Sequence, residues 1–508
     1  MSLSWLKYDT RGGDAEWCEK FAEVVKGLVP KVSGKGWSES AAALQEIINN
    51  KEAPLTLTDV RDRPERFFAA HRIVAYYCSP EEAPGFWIRF TVHYNLCFGT
   101  VVALGEQPHL DQLGQIMEKA DIGCFALTEY KAGVNSGMVV ETIADYDKAT
   151  DEFVITTGSG EIGDPAEKNW ISSGMMATYA IVVADLRVDG KSYGGHAFLV
   201  RMRETVGGPC LPGVHMVDMG KKTIGNDLDN ARIGLNKVRV PRSTLLSRYG
   251  DVKDGKYVQK DAKIKNFQMI GQRLFTGRVA VAAAALMCSR KLVTRTKAYA
   301  DSKMTWSPEG SRPLSQLPQV KALFDEADFE LSRLEMFVKK VELALADVVK
   351  QDGTPDLELQ VAIGTCKIAC AERNIALLNR LKMDVGSYAL MDSSGLQHID
   401  FLQACKFAEG DSRILAQKMV RDLVGDVLKG KKRQGMMPAN GAGNAPEAMA
   451  EEEALLKDLL GKLSKAGNDK KAFGKIWEAE WRQVYKLADC IQNRIILNWC
   501  GNVASAKL

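Results

Sequence analysis

Apolar residues change their spacing twice along this chain, and the changes limit the folds open to it. Through residues 1–120 they recur every three or four positions, as in AALQEIINN and LDQLGQIMEKA, which predicts helices. Through residues 121–248 short β-rich runs such as FVITT and YAIVVADL alternate with Gly, Asp and Pro, which predicts a central β domain. Long helical patterns return in 262–430. We therefore expect an α+β protein whose third part is a helical bundle.

The end of the chain carries a further change of composition. Residues 431–447 are rich in Gly, Pro, Asn and Ala, which predicts a linker because such a segment buries too little apolar surface to order itself. Residues 448–508 are again amphipathic, which predicts an extra C-terminal helical region.

Composition excludes several classes of partner. The 67 Lys and Arg nearly cancel the 64 Asp and Glu of the 508 residues, so no global field favours nucleic acid. No apolar run approaches the roughly 20 residues needed to span a bilayer, and the N-terminus does not have the pattern of a secretory signal. The eleven scattered cysteines and six unclustered histidines predict buried thiols in a reducing compartment and no metal site.

One glycine motif needs an explanation of its own. Residues 158–163 read GSGEIG and follow the strand-like FVITT, which matches the dinucleotide-binding pattern GxGxxG. That pattern requires a helix to begin at the third glycine, whereas DPAEKNW follows here. We therefore interpret the segment as a glycine-rich β hairpin that leads to Trp170.

Four fragments occur here in one order: GCFALTEYKAGVNSG, NWISSGMMATYAIVVADL, YGGHAFLVRMR and DNARIGLNKVRVPRSTLL. Over about residues 90–430 the chain resembles the acyl-CoA oxidases and dehydrogenases, and peroxisomal acyl-CoA oxidases most closely. The resemblance implies an acyl-CoA dehydrogenase-like fold with a central β barrel. It also implies an FAD cofactor, a fatty acyl-CoA substrate and a homodimer.

The resemblance also assigns cofactor-binding residues in the β domain. The flavin-contacting Thr-Glu pair falls on Thr128 and Glu129, after Phe125 and Leu127. Positions packed beside the flavin ring fall on Trp170, Ile171 and Ser172, where a hydroxyl can donate to the ring. For Trp170 an ordinary core aromatic is the alternative.

Some family positions are occupied differently here. In the glycine-rich turn, Gly133 is retained for the cofactor, whereas Val134 stands at a substrate-binding position that carries a small residue in relatives. The arginine expected to contact a partner subunit's flavin corresponds to Lys303, which keeps the charge but loses the bidentate fork. Only Gly386 remains of a double glycine near the flavin diphosphate.

The catalytic base implied by the resemblance is Glu409, in KFAEGDS. Removing a proton next to a thioester carbonyl needs a carboxylate in a dry pocket, and a solvated loop carboxylate is the alternative. Gly410 is assigned to substrate binding and Asp411 to cofactor binding. Arg278 matches an arginine close to the acyl-CoA in relatives, and its alternative is a surface helix charge.

The resemblance implies α,β-dehydrogenation of fatty acyl-CoA to trans-2-enoyl-CoA, with reoxidation by O2 to give H2O2. Two alternatives stay open: a dehydrogenase that passes electrons to an electron-transfer flavoprotein, and a catalytically silent acyl-CoA-binding scaffold. The final Ala-Lys-Leu resembles the Ser-Lys-Leu peroxisomal signal, so we expect recognition by the peroxisomal import receptor.

Overall fold

The computed structural model describes residues 14–132, 140–261, 274–430, 446–467 and 469–500, with backbone alone for 446–449. The chain divides into two compact units. The first comprises Met1–Ala280 and Val349–Asp352, and the second comprises Val281–Val348 and Gly353–Leu508.

The first unit begins with helices, as the three- and four-residue spacing of apolar residues predicts. They are α1 (Ala15–Val32), α2 (Trp37–Ile48), α3 (Asp59–Asp62), α4 (Pro64–Cys78), α5 (Pro84–Thr91), a π-helical turn (Val92–Cys97), α6 (Phe98–Leu104) and α7 (Gln107–Glu118). Proline stands in the first turn of α4 and of α5, where its missing N–H costs no hydrogen bond. Phe67, Trp87 and Phe90 lie in the core of this region.

Short strands follow the helices, as the β-rich runs predict. They are β1 (Gly123–Ala126), β2 (Ile143–Asp147), β3 (Glu152–Thr156), β4 (Lys168–Ser172), β5 (Tyr179–Val188), β6 (Lys191–Arg201), β7 (Val214–Asp218), β8 (Asn230–Leu235), β9 (Val238–Pro241), β10 (Gly250–Lys253) and β11 (Lys256–Gln259). The larger sheet has the order β1-β5-β2-β3-β9, with β6 paired to β5, and a smaller sheet has the order β4-β8-β7. β10 and β11 form a separate pair.

The structure contradicts the β hairpin predicted for the glycine-rich segment 158–163. β3 pairs with β2 and β9 in the larger sheet, whereas β4 pairs with β8 in the smaller one. The segment therefore connects two sheets and is not a hairpin. Three of its glycines have positive φ, and a Cβ at Gly160 would lie 2.6 Å from Asn236 Cα, which explains the glycine content without a nucleotide.

Long helices follow the strands, and all of their residues except 274–280 and 349–350 belong to the second unit. They are α8 (Leu274–Ser302), α9 (Pro318–Lys350), α10 (Leu357–Asp384), α11 (Asp400–Phe407), α12 (Ser412–Leu428), α13 (Pro446–Leu463), α14 (Lys470–Ala479) and α15 (Trp481–Cys500). A two-stranded pair, β12 (Met304–Thr305) with β13 (Arg312–Pro313), follows α8. α10 packs against α11, α12 and α15, so the C-terminal helix shares the core of the bundle.

Two sequence predictions can be compared with the packing directly. None of the eleven cysteines, all of which lie in the described residues, forms a disulfide; ten are buried and Cys210 is half-buried, in agreement with the predicted buried thiols. In the part of the chain that the structure describes, no helix is both long and apolar enough to cross a membrane.

Candidate functional site

The segment after β1 is the first part of the candidate flavin site. β1 runs parallel to β5, and beyond Ala126 the chain leaves this sheet to meet β4. Asn169 N donates to Thr128 O at 2.9 Å, and Glu129 forms an isolated bridge with Lys168. The Thr128 side chain is exposed there, while Phe125 and Leu127 are half-buried. Pairing with β4 therefore brings the Thr-Glu segment next to Trp170.

A fully buried ion pair holds this contact together. Lys168 Nζ lies 2.8 Å from Glu129 Oε1 and also donates to Val183 O at 2.7 Å. Glu129 also accepts from Glu141 N at 2.7 Å and from the amide and hydroxyl of Thr142. Burial lowers the pKa of Lys168 to about 8, and the Glu129 charge opposes that shift. Because both charges are compensated, the pair can fix the backbone on either side of it.

Trp170 departs from what a core aromatic would show. Its side chain is 58% exposed and its φ is +57°, a left-handed conformation that bulky residues rarely adopt. The next residue, Ile171, is buried in the core. The core-aromatic alternative is therefore wrong, and a large ring is presented at the surface of the first unit. Strained backbone of this kind concentrates at functional sites.

Ser172, two residues after Trp170 in the chain, carries a hydroxyl group. Its Oγ accepts from Asn230 Nδ2 at 3.1 Å, and the side chain is half-buried. A hydroxyl that accepts one hydrogen bond still has its own proton to donate.

The turn after Ser172 is anchored by a second buried ion pair. Arg89 Nη2 lies 2.9 Å from Asp229 Oδ1, and both side chains are fully buried. Arg89 Nη1 donates to Ser173 Oγ at 2.7 Å, while Asp229 accepts from the backbone amides of Ser173 and Met175. Ser173 also has positive φ, at +65°. Buried charged groups thus hold β4 before Trp170 and after Ser172.

The remaining candidates of the first unit are less well defined. Arg278 on α8 is half-buried, and its guanidinium carbon lies 5.4 Å from the centroid of the Phe275 ring. The side chain is therefore not a fully solvated surface charge. Gly133 and Val134 lie outside the described residues.

The candidate base lies in the second unit, in the turn between α11 and α12. Glu409 is 7% exposed and has φ of +57°, and Gly410 after it has φ of +95°. The solvated-loop alternative for Glu409 is therefore wrong. A carboxylate removed from water is more basic than one in solution, which is what proton abstraction requires.

A buried lysine lies beside this turn. Lys367 on α10 is fully buried, and its Nζ donates to Gly410 O at 2.6 Å and to Ser412 Oγ at 3.1 Å. It also donates to Lys406 O. The Asp411 side chain accepts from Arg413 N at 2.7 Å, so it caps the N-terminus of α12.

The other two cofactor candidates of the second unit lie on its surface. Lys303 is exposed at the C-terminal end of α8. Gly386 is exposed with φ of +66° at the start of a short 3₁₀ helix. In that helix Tyr388 stacks on Tyr299 of α8, with ring centroids 3.8 Å apart.

The sequence did not indicate the buried charged residues that hold β4 and the turn of Glu409. They are Arg89, Lys168, Asp229 and Lys367. Lys367 had a signal, because it interrupts the apolar run AIGTC–IACA of a helix that must be buried. Lys168 had none, since a lysine in a short strand normally points to solvent.

In the described part of the chain, no group of three or more His, Cys, Asp or Glu could hold a metal ion.

Comparison with known proteins shows which sequences this chain is similar to. No family model matches the chain. It is 30% identical over 367 residues to the human protein named peroxisomal acyl-coenzyme A oxidase 3, covering 65% of this chain and 49% of that protein. The chain spans about half the length of the curated relatives it matches.

Solved structures show the same fold. Acyl-CoA oxidase 3 from Yarrowia lipolytica superimposes with a TM-score of 0.76 at 20% identity, covering 97% of this chain and 76% of that one. Acyl-CoA oxidase-2 from Caenorhabditis elegans, solved with FAD, ascaroside-CoA and ATP, gives a TM-score of 0.73 at 18% identity, covering 97% and 77%. The fold is therefore acyl-CoA dehydrogenase-like, and the sequence is similar to those of proteins named acyl-CoA oxidases.

Proposed function

We propose that this protein is an FAD-dependent acyl-CoA oxidase that converts fatty acyl-CoA to trans-2-enoyl-CoA. The burial of Glu409 in a left-handed turn carries the proposal, because it gives the chain a carboxylate suited to abstract the α proton. The relationship to proteins named acyl-CoA oxidases supports the choice of reaction.

The donor groups of the first unit suit a flavin. Thr128 and Trp170 are exposed on adjoining backbone segments, and Ser172 has a proton to donate toward a ring nitrogen. The C. elegans relative was solved with FAD, which supports the same cofactor here. Bound FAD would accept a hydride from the β carbon and be reoxidised by dioxygen, with release of hydrogen peroxide.

Glu409 would act on the substrate in two ways. Its carboxylate takes the α proton, which leaves negative charge on the thioester oxygen. The backbone amide of the same residue donates a hydrogen bond to that oxygen, and a donor already in place stabilises the charge without reorganisation. Gly410 leaves room beside it for the acyl-CoA, and Arg278 provides a positive charge for the anionic substrate.

The first experiment replaces Glu409 by glutamine. Glu409→Gln is nearly isosteric but cannot accept the proton, so the purified variant keeps its flavin while its reduction by acyl-CoA falls by at least about 100-fold. Flavin absorbance under anaerobic conditions measures the reduction. Asp356→Asn, an N-cap change on α10, is the control and should reduce at the wild-type rate. Reduction of Glu409→Gln at the wild-type rate would mean that another group is the base.

An oxygen assay decides between the oxidase and its alternatives. With acyl-CoA, dioxygen and no electron carrier, an oxidase produces hydrogen peroxide in proportion to the enoyl-CoA formed. Dye reduction without peroxide would identify a dehydrogenase. A colourless protein that binds acyl-CoA without turnover would identify a silent scaffold.

Assembly and location complete the proposal. We infer a homodimer in which Lys303 and Gly386 contact the flavin bound to the partner subunit. Both residues are exposed, as such contacts require. Light scattering of the holoprotein tests this, and a monomer that retains stoichiometric FAD would contradict it. A peroxisomal location follows from the names of the curated relatives and is tested by imaging the tagged full chain.

A further inference from the structure

One lysine, Lys367, is buried in the interior of the second unit. Lys367 lies on α10 between apolar neighbours, and its side chain is completely buried. Removing an ammonium from water is unfavourable unless each of its N–H donors forms a good hydrogen bond. A lysine at this position therefore destabilises the fold unless its hydrogen bonds compensate for the lost hydration.

Its contacts converge on one turn. Nζ donates to Gly410 O at 2.6 Å, to Ser412 Oγ at 3.1 Å and to Lys406 O. Ser412 Oγ in turn donates to Lys406 O at 3.2 Å, so the three acceptors lie together. They precede and follow Glu409 in the chain, and one belongs to the residue directly after it.

That turn needs support from outside. Glu409 has φ of +57°, a left-handed conformation that is strained because the Cβ lies too close to the following carbonyl oxygen. Such a conformation persists only where neighbouring groups hold it. Lys367 supplies fixed donors to the carbonyls at both ends of the turn, and a charged donor makes stronger hydrogen bonds than a neutral one.

We infer that Lys367 is the positioning residue that holds the Glu409 turn in its reactive geometry. The inference rests on the proposed role of Glu409 as the base. Lys367 acts through the backbone and Ser412, and it does not itself accept the proton. The competing explanation is structural: Lys367 satisfies the Lys406 carbonyl near the end of α11 and stabilises the bundle without affecting the reaction.

Rapid-reaction kinetics of the FAD-loaded full chain separates these explanations. In Lys367→Met, the limiting rate of flavin reduction by saturating acyl-CoA should fall about 10- to 100-fold, because misplacement of a reacting group is costly. The dissociation constant for acyl-CoA should stay close to the wild-type value. Lys367→Arg, which keeps the positive charge, should recover part of the rate.

A matched control removes another buried cation of the same unit. Arg494 binds both oxygens of Glu452, and both side chains are buried. Arg494→Met should lower the unfolding midpoint as Lys367→Met does but leave the reduction rate unchanged. A wild-type reduction rate in Lys367→Met would overturn the inference, as would an equal loss in Arg494→Met.

Ser412→Ala keeps the test decisive if Lys367→Met does not fold. It removes one acceptor of Lys367, and the reduction rate should fall about twofold to tenfold, the usual effect of one hydrogen bond. An unchanged rate in that case would overturn the inference. If acyl-CoA does not reduce the wild-type flavin, the proposed function fails instead, so the two failures are distinguishable.

Discussion

At the scale of single residues, the candidate functional residues of each unit combine strained backbone with buried charge. Trp170 and Glu409 both have φ of +57°, although neither is a glycine, asparagine or aspartate that tolerates it easily. Each lies next to a segment held by a buried lysine: Lys168 for Trp170 and Lys367 for Glu409. The two units thus use the same device, in which a dehydrated ammonium fixes carbonyls and carboxylates around a strained residue.

The Lys168–Glu129 pair leads to a prediction on stability. Lys168→Met leaves a buried carboxylate without its counter-charge, so the free energy of unfolding should fall by about 3–5 kcal/mol. FAD affinity should fall as well, because the pair joins the Thr128 segment to the strand that carries Trp170. Urea denaturation and flavin titration measure the two effects.

An exposed lysine provides the control for that variant. Lys131 pairs with Glu141 at 2.7 Å, with both side chains about half exposed. Lys131→Met should change the free energy of unfolding by about 0–1 kcal/mol, since water screens the pair. An equal decrease in the free energy of unfolding in Lys168→Met and Lys131→Met would contradict the conclusion that burial makes the Lys168–Glu129 pair important for stability.

At the scale of elements, helix starts determine where the functional turns lie. α10 begins after Asp356, whose side chain accepts from Leu359 N, and α12 begins after Asp411, whose side chain accepts from Arg413 N. A capping aspartate satisfies an amide that the helix cannot, and the negative charge suits the N-terminal end of the helix dipole. The cap at Asp411 therefore fixes the residue at which the turn of Glu409 ends.

These two caps allow a comparison of equal changes. Asp411→Ala and Asp356→Ala should each lower the free energy of unfolding by about 0.5–2 kcal/mol. Only Asp411→Ala should also slow flavin reduction by acyl-CoA, because its helix begins three residues after Glu409. Denaturation and anaerobic reduction on both variants test this, and a slower rate in Asp356→Ala alone would refute it.

At the scale of the whole molecule, the first unit should be sensitive to acid. Burial lowers the pKa of His71 and of His196 to about 4 and that of His93 to about 3. An unfolded histidine titrates near 6.5. Between pH 6.5 and 4 the unfolded chain therefore binds more protons than the folded one, so the stability of this unit falls as the pH falls.

The slope of that dependence can be measured. Each such histidine contributes up to about 1.4 kcal/mol per pH unit in this window. Hydrogen exchange of first-unit peptides, corrected for intrinsic rates, should report the loss. His196→Asn should make the slope shallower by the contribution of one histidine. A flat profile between pH 6.5 and 4 would contradict the assignment.

Much of the architecture could be predicted because periodicity is a local property. Spacings of three and four, and then short β-rich runs, located the helices and strands, and the fragments around Thr128 and Trp170 indicated the resemblance to acyl-CoA oxidases. The hairpin predicted at 158–163 was wrong, because periodicity does not tell which sheet a strand joins. The domain limits and the roles of the site residues stay predictions.

The sequence by itself determined the succession of elements, the resemblance to acyl-CoA oxidases and the type of residue available for each chemical step. Only the tertiary structure decided that Glu409 is dehydrated, that Trp170 is exposed, and that Lys168 and Lys367 are buried beside them. The reason is physical: dehydration and charge compensation depend on atoms far apart in the chain, such as Arg89 with Asp229 or Lys367 with Gly410.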